Sequence, residues 1–242
     1  MALHFLVDDD APPLEADGVV VLGGAEAHHA AAVRRVRVGE SVTLGDGRGA
    51  WADGVVEEVS PKRVAVRVSS RRDVAAPDTT LVLVQALAKG DRDELAVQAA
   101  TELGVDEIVP WQAARSVSRW DAAKAAKGVA RWQSIVREAA KQAHRAWVPA
   151  VRPPVTTAQL AAEDGTILLL EPSAVAALSQ VALPDAGRIV LVVGPEGGIA
   201  PQELSALQDA GAVAVRLGET VLRTSTAGPA ALAVASARLG RW

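Results

Sequence analysis

The sequence predicts two folded parts in one chain: an all-β domain over residues 1–72 and an α/β domain with a mostly parallel sheet over residues 78–242. Three observations carry this reading. Up to about residue 70, short runs alternate between apolar and polar residues and are separated by Gly, Asp and Pro. From Thr79 onward the apolar runs become continuous, as expected of strands buried on both faces. Between the two regimes lies "SSRRDVAAPD", Ser69 to Asp78, a polar stretch with a proline that suits a domain boundary.

Each element follows from a local pattern. "SVTLGDG", "WADGVVEEV" and "RVAVRVSS" read as half-buried strands, and "GDGRG" (Gly45 to Gly49) as a tight hairpin connection, so the first domain is expected to be a small barrel or sandwich. "TLVLVQAL" then starts the second domain as a buried strand. Asp91 and Glu94 have the spacing of a capping box, Leu95, Ala99 and Leu103 repeat at helical intervals, and Gly104 is a natural stop. "DEIVP", "TILLL", "RIVLVV" and "AVAVRL" are further strands, each leading into loop and helical sequence, which implies a parallel sheet covered on both faces. Pro201 suits the first turn of the helix "PQELSALQDAG".

Composition excludes several classes. At 242 residues the chain is long enough for a full core. No apolar run approaches the roughly 18 residues of a membrane span, and "MALHFLVDDD" lacks the basic start of a signal peptide. There are no cysteines, which excludes disulfides and thiolate chemistry and fits a reducing cytoplasm. The net charge of −4 is unevenly spread. Gln112 to Arg152 carries nine Lys or Arg against Asp121 and Glu138, so this stretch is +7 and the remainder −11.

The basic block reads as one helix. Trp132, Ile135, Val136, Ala139, Ala140 and Ala143 make an apolar stripe, while Arg137, Lys141, His144 and Arg145 share another face. Such a row is either a solvated surface or a set of phosphate contacts. Trp120 and Trp147 nearby suit base stacking or the core. His28 and His29, read on an extended chain, point in opposite directions and do not chelate together; no metal site is expected.

In an open parallel sheet, ligands bind beyond the carboxyl ends of the strands. Three such ends carry unusual sequence: "LLLEPS" (Leu168 to Ser173), "VVGPEGG" (Val192 to Gly198) and "RLGETVLRTSTAG" (Arg216 to Gly228). "GPEGGIAPQE" satisfies neither the P-loop nor the dinucleotide fingerprint, and Glu196 would repel a triphosphate. Gly194, Gly197 and Gly198, with Pro195, instead suit a ligand read by main-chain atoms. An adenosyl group without phosphates fits, and the sulfonium of S-adenosyl-L-methionine tolerates a nearby carboxylate. Leu217, Gly218, Val221 and Leu222 would add an apolar wall, and Thr224, Ser225 and Thr226 hydroxyls for a cap or a ligand. Arg223 stands among apolar and hydroxyl neighbours, as either a structural ion pair or a stabiliser of developing negative charge.

"LVVGPEGGIAPQEL" followed by "LGETVLRTSTAGPAAL" resembles the signature of the SPOUT methyltransferases, and within them the RsmE family, which methylates N3 of a uridine in 16S ribosomal RNA. "HHAAAVRRVRVGE", "LGDGRG", "VQALAKGDRDELAVQAATELGVDEIVPWQAARSV" and "RWQSIVREAAKQAHRAWVPAV" extend the likeness over nearly the whole chain. Ser225 departs from it, standing where the family often has glutamate. The resemblance implies a PUA-like β-barrel followed by an α/β domain with a deep trefoil knot. It further implies homodimers and action on the small ribosomal subunit (30S) in the cytoplasm. S-adenosyl-L-methionine is expected against Leu170, Glu171, Val193, Gly194, Pro195, Gly197, Gly198, Leu217, Gly218, Leu222, Thr224 and Thr226. Arg223 is the expected stabiliser of the uridine anion, with Glu196 as base, loop holder or counter-charge. RNA contacts are expected at Arg34, Arg35, Arg137, Lys141 and Arg145.

Overall fold

The structure, a computed structural model, describes residues 2–7 and 11–242, which form two compact units. The first comprises residues up to Ala76 together with Ala140–Val148; the second comprises Pro77–Ala139 and Pro149–Trp242. The short return segment 140–148 was not foreseen in the first unit.

In the first unit, β1 (Leu3–Leu6), β2 (Val19–Leu22), β3 (Ser41–Gly45), β4 (Ala50–Ser60) and β5 (Arg63–Asp73) make one sheet in the order β1-β3-β4-β5-β2. Only β1 and β3 run parallel. Register shifts at Asp53/Gly54 and Val56/Glu58 bend the long β4–β5 pair. At Gly54 a Cβ would lie 2.6 Å from Val66, so the bend depends on glycine. The sheet closes on one core that includes Phe5, Leu22, Val42, Leu44, Val56 and Val66. The β3–β4 connection is the expected tight turn, its Asp46 carboxylate accepting the backbone N–H groups of Arg48 and Ala50. His28 and His29 are helical, not extended: His28 ends α1 (Gly24–His28) and His29 opens a π-turn over His29–Val33. Ala27 and Ala30 are driven into the core there, which extended backbone would not achieve.

The second unit holds β6 (Thr79–Ala86), β7 (Glu107–Trp111), β8 (Ala150–Val151), β9 (Thr166–Leu170), β10 (Gly187–Val193) and β11 (Val213–Val215), all parallel, in the order β11-β9-β10-β6-β7-β8. The helices are α2 (Arg92–Glu102), α3 (Ala122–Gln142), α4 (Thr157–Leu160), α5 (Pro201–Asp209) and α6 (Thr224–Arg238). Val82, Val84, Leu169, Val190 and Val192 share one buried cluster with Leu160 of α4 and Leu207 of α5. The opposite face meets α6, where a Cβ on Gly228 would lie 2.9 Å from Leu83. α2 packs on α6. No capping box forms at Asp91: its side chain makes no cap bond, and Asp93 accepts the Ala88 and Glu94 N–H groups instead. α2 buries Ala96, Val97 and Ala100, whereas Leu95 of the expected stripe is 51% exposed.

After β11 at the sheet edge the chain returns to the middle. The Thr224 hydroxyl bonds Gly194 just beyond β10, and α6 then lies on β10 and β6. The β9–β10 connection runs beside this return, bridged at Ala177 to Arg216. Strand order and return together fit the trefoil knot that the resemblance implies. No helix of the described residues is long and apolar enough to cross a membrane.

Candidate cofactor site

The carboxyl ends of β9, β10 and β11 converge on one cavity of about 410 Å³, within the range of small-molecule sites. Of the residues expected to bind cofactor, Leu170, Glu171, Val193, Gly194, Pro195, Gly198, Leu217, Gly218, Leu222 and Thr224 line it, as do Glu196 and Arg223. Gly197 and Thr226 do not. Gly197 faces Arg115, whose guanidinium donates to the Gly197 carbonyl at 2.9 Å. Thr226 is exposed in the first turn of α6.

The glycine-rich loop is built for close approach. A Cβ on Gly194 would lie 2.9 Å from the Ile199 side chain, and Gly198 has φ of +71°. Gly218 is different: its Cβ would meet nothing within 4 Å and its φ is not left-handed, so the turn itself does not require glycine there. The loop leads into α5, where Pro201 opens the helix and Glu203 accepts the Ala200 N–H at 3.3 Å. Buried Glu203 also accepts from Ala114 N and Thr157 Oγ1, pinning the loop's far side.

Glu196 is already engaged. Its Oε1 accepts the Lys89 N–H at 2.9 Å and the Arg92 guanidinium at 3.0 Å, joining the loop to the entrance of α2. Burial would raise its pKa, but hydrogen bonds from its own and the Lys89 N–H groups, and the Arg92 guanidinium, outweigh this and hold it below the usual carboxylate range. Arg92, bonded to this carboxylate, also lines the cavity. Sequence reasoning missed Arg92; its signal was "LAKGDRDEL" directly beyond the buried strand β6. It also missed the lining residues Ile199, Arg216 and Thr220.

Arg223 is the N-cap of α6, exposed, and its side chain makes no hydrogen bond or ion pair among the described residues. The structural ion pair considered for it is therefore absent there. Thr224 is buried, with its hydroxyl turned to Gly194 and Gln85.

The basic block departs most from its reading. The apolar stripe at Trp132, Val136, Ala139 and Ala140 is buried as expected. Lys141, however, is 6% exposed and pairs with Glu26 at 2.9 Å, so it offers no solvent-facing charge to RNA. The helix ends at Gln142 and His144 has φ of +52°, which breaks the expected row. Arg115, Arg119, Lys124, Arg131 and Arg152 also bond within the protein. The tryptophans are structural: Trp120 packs edge-on against Trp132 at 5.5 Å, and Trp147 donates to the Val74 carbonyl. Arg34 and Arg35 are exposed, and Arg137 and Arg145 half-buried. No cluster of metal-ligating side chains occurs among the described residues.

Comparison with known proteins places this geometry. Residues 76–236 match the family described as RNA methyltransferase domain, and residues 22–69 the RNA methyltransferase PUA domain. Ribosomal RNA small subunit methyltransferase E of Mycobacterium tuberculosis (strain CDC 1551 / Oshkosh) is 47% identical over 231 residues, covering 93% of this chain and 88% of that protein. The Bacillus subtilis (strain 168) protein of the same name is 33% identical over 84% of each chain. The crystal structure of ribosomal RNA small subunit methyltransferase E from Neisseria gonorrhoeae, bound to S-adenosyl methionine, superposes with a TM-score of 0.88 at 30% identity over 98% of both chains. A Legionella pneumophila putative methyltransferase with bound SAM gives 0.88 at 29% identity over 98% of both. With these matches across both units, the chain belongs to the ribosomal RNA small subunit methyltransferase E family.

Proposed function

We propose that the chain is an S-adenosyl-L-methionine-dependent methyltransferase acting on N3 of a uridine in 16S ribosomal RNA. It works as a cytoplasmic homodimer on the 30S subunit. The observation that carries the reading is the cavity itself, which joins a glycine-rich cradle to a guanidinium without a bonded partner among the described residues. The lining suits the cofactor: Leu170, Val193, Leu217 and Leu222 are apolar, Gly194 admits no side chain, and Glu171 and Glu196 tolerate a cationic sulfonium. A phosphate-bearing nucleotide would meet those carboxylates instead.

The bound cofactor supplies an electrophilic methyl group. The chain's own residues do the rest. N3 of uridine must lose its proton, and the resulting charge spreads over the flanking carbonyl oxygens. Arg223 stabilises that anion from the N-terminus of α6. Glu196, tied to Lys89 and Arg92, holds the loop rather than collecting the proton, which passes to solvent. Leu217 and Leu222 exclude water from the cofactor side, and the glycine loop sets its orientation. RNA is gripped by Arg34 and Arg35 of the first unit, with Arg137 and Arg145 contributing where their side chains reach solvent.

The test is transfer of labelled methyl from S-adenosyl-L-methionine to 30S subunits, naked 16S RNA and transfer RNA, followed by mapping of the product. Label at uridine N3 on the 30S subunit is the expected result. Label on a ribose, or on transfer RNA alone, would refute the assignment.

A further inference from the structure

Gln85 is the penultimate residue of β6, in the middle of the sheet, and has no solvent exposure. Its Nε2 donates to Thr224 Oγ1 at 2.9 Å and to the Ala86 carbonyl at 3.2 Å. Its Oε1 is buried with no hydrogen-bond partner among the described residues. Thr224 Oγ1 in turn donates to the Gly194 carbonyl at 2.9 Å.

The direction of this chain of bonds follows from elementary chemistry. The Ala86 and Gly194 carbonyls can only accept. The amide must therefore present its NH2 end to Ala86, and the same end donates to the Thr224 hydroxyl. A hydroxyl that accepts from the amide has its single proton left for Gly194. Burying an amide with an unmatched oxygen costs free energy that a methionine of similar volume would avoid. What the glutamine adds, in return, is a pair of directed donors.

We propose that Gln85 is a positioning residue for the cofactor cavity, acting through Thr224 on Gly194. The relay commits the Gly194 carbonyl to α6 and so fixes the peptide plane that enters the glycine-rich loop. Pro195 has no N–H, so this carbonyl is the one polar group that the plane carries. Left unpinned, it is free to turn an acceptor toward the ligand. The same hydroxyl anchors the first residue of α6 and thereby the N-cap position from which Arg223 projects. The loop that holds the donor and the residue that faces the acceptor are set by one bond network.

This inference rests on the cofactor reading above, and the experiment separates the two. Binding of S-adenosyl-L-methionine to the full chain is measured by calorimetry for wild type, Thr224→Val, Thr224→Ser and Gln85→Met. The Michaelis constant for RNA and the thermal midpoint are recorded alongside. Thr224→Val is expected to weaken cofactor binding about tenfold, and Gln85→Met about threefold, with the RNA constant unchanged. Thr224→Ser, which keeps the hydroxyl, recovers most of the Thr224→Val loss. Wild-type affinity in Thr224→Val, or equal losses in the valine and serine variants, would overturn the relay. Should Thr224→Val fail to fold, Gln85→Met decides: wild-type affinity there overturns the relay and a selective loss supports it. A wild-type chain that binds no cofactor would overturn the cofactor reading itself and the relay with it.

Discussion

At Arg223 the backbone is extended, with φ of −66° and ψ of 152°, and α6 begins at the next residue. A helix N-terminus carries partial positive charge from its unpaired N–H groups, so a guanidinium at this position is electrostatically unfavourable without an anion. Arg223 has no protein anion bonded to it among the described residues, although it lines a cavity that Glu171 and Glu196 also line. Glu171 accepts from Ser173, and Glu196 from Lys89 and Arg92. The carboxylates are thus occupied, and the proposed role of the arginine, stabilising charge that develops on the substrate, follows from its lack of such a partner among the described residues. Arg223→Ala should lower kcat by about 10²–10³-fold and leave the affinity for S-adenosyl-L-methionine close to wild type. Single-turnover methyl transfer with calorimetry on the same preparation checks this; full activity in the alanine variant would remove Arg223 from the mechanism.

Among the elements, a cluster of charged side chains ties the amino ends of the parallel strands together. Glu107 at the start of β7 accepts from Arg152 at 3.2 Å and from both terminal nitrogens of Arg188, at 2.9 and 3.1 Å. Glu163 takes Arg152 in a two-pronged pair at 2.7 and 2.8 Å. Burial raises the Glu107 pKa, but hydrogen bonds and charge from Arg188 and Arg152 outweigh it, so the group sits below the usual carboxylate range. A depressed pKa contributes stability above the unfolded value near 4.5, and that stability is lost as pH falls through the folded value. Glu107→Gln should cost about 1–3 kcal/mol at pH 7 and flatten the acid limb of stability against pH. Urea unfolding at pH 7 and at pH 4 reads both effects; an unchanged acid limb would assign the pH dependence to other carboxylates. The strands themselves were legible in the sequence, because β6, β9 and β10 each carry at least four consecutive apolar residues (81–84, 167–170 and 189–193), which suits strands buried on both faces. The cavity was legible because three odd segments each followed an expected strand, at the ends of β9, β10 and β11. What could not be read was which side of a short helix faces inward. α2 offers Leu95 on one side and Ala96 with Val97 on the other, and only the neighbouring α6 decides between them.

For the whole molecule, Lys141 is the residue where charge pattern and structure part company. Its spacing from Arg137 put it on a basic helical face, and sequence alone cannot distinguish a lysine in water from one paired across 115 positions. In the structure the segment 140–148 belongs to the first unit, although the chain on either side belongs to the second. Backbone bonds from Val148 N to Gly47 O and from Gly49 N to Ala146 O tie it to the β3–β4 turn. Gly49 is needed there, since a Cβ would lie 2.7 Å from the Trp147 ring. Lys141 and Glu26, with side chains 7% and 9% exposed, make the buried charge pair of this attachment. Removing one partner of such a pair leaves the other charge desolvated, which typically costs about 3–5 kcal/mol, whereas replacing both with apolar or neutral groups costs much less. Lys141→Ala should therefore destabilise the protein by about 3–5 kcal/mol, and the double variant Lys141→Met with Glu26→Gln should recover much of that loss. Equilibrium unfolding in urea measures the stability, and filter binding to 16S RNA under conditions where each variant is folded measures the affinity. The structural assignment requires a large stability loss, its partial recovery in the double variant, and RNA affinity that follows the folded fraction. A Lys141→Ala variant of wild-type stability but weakened RNA binding would return the residue to the RNA-contacting row.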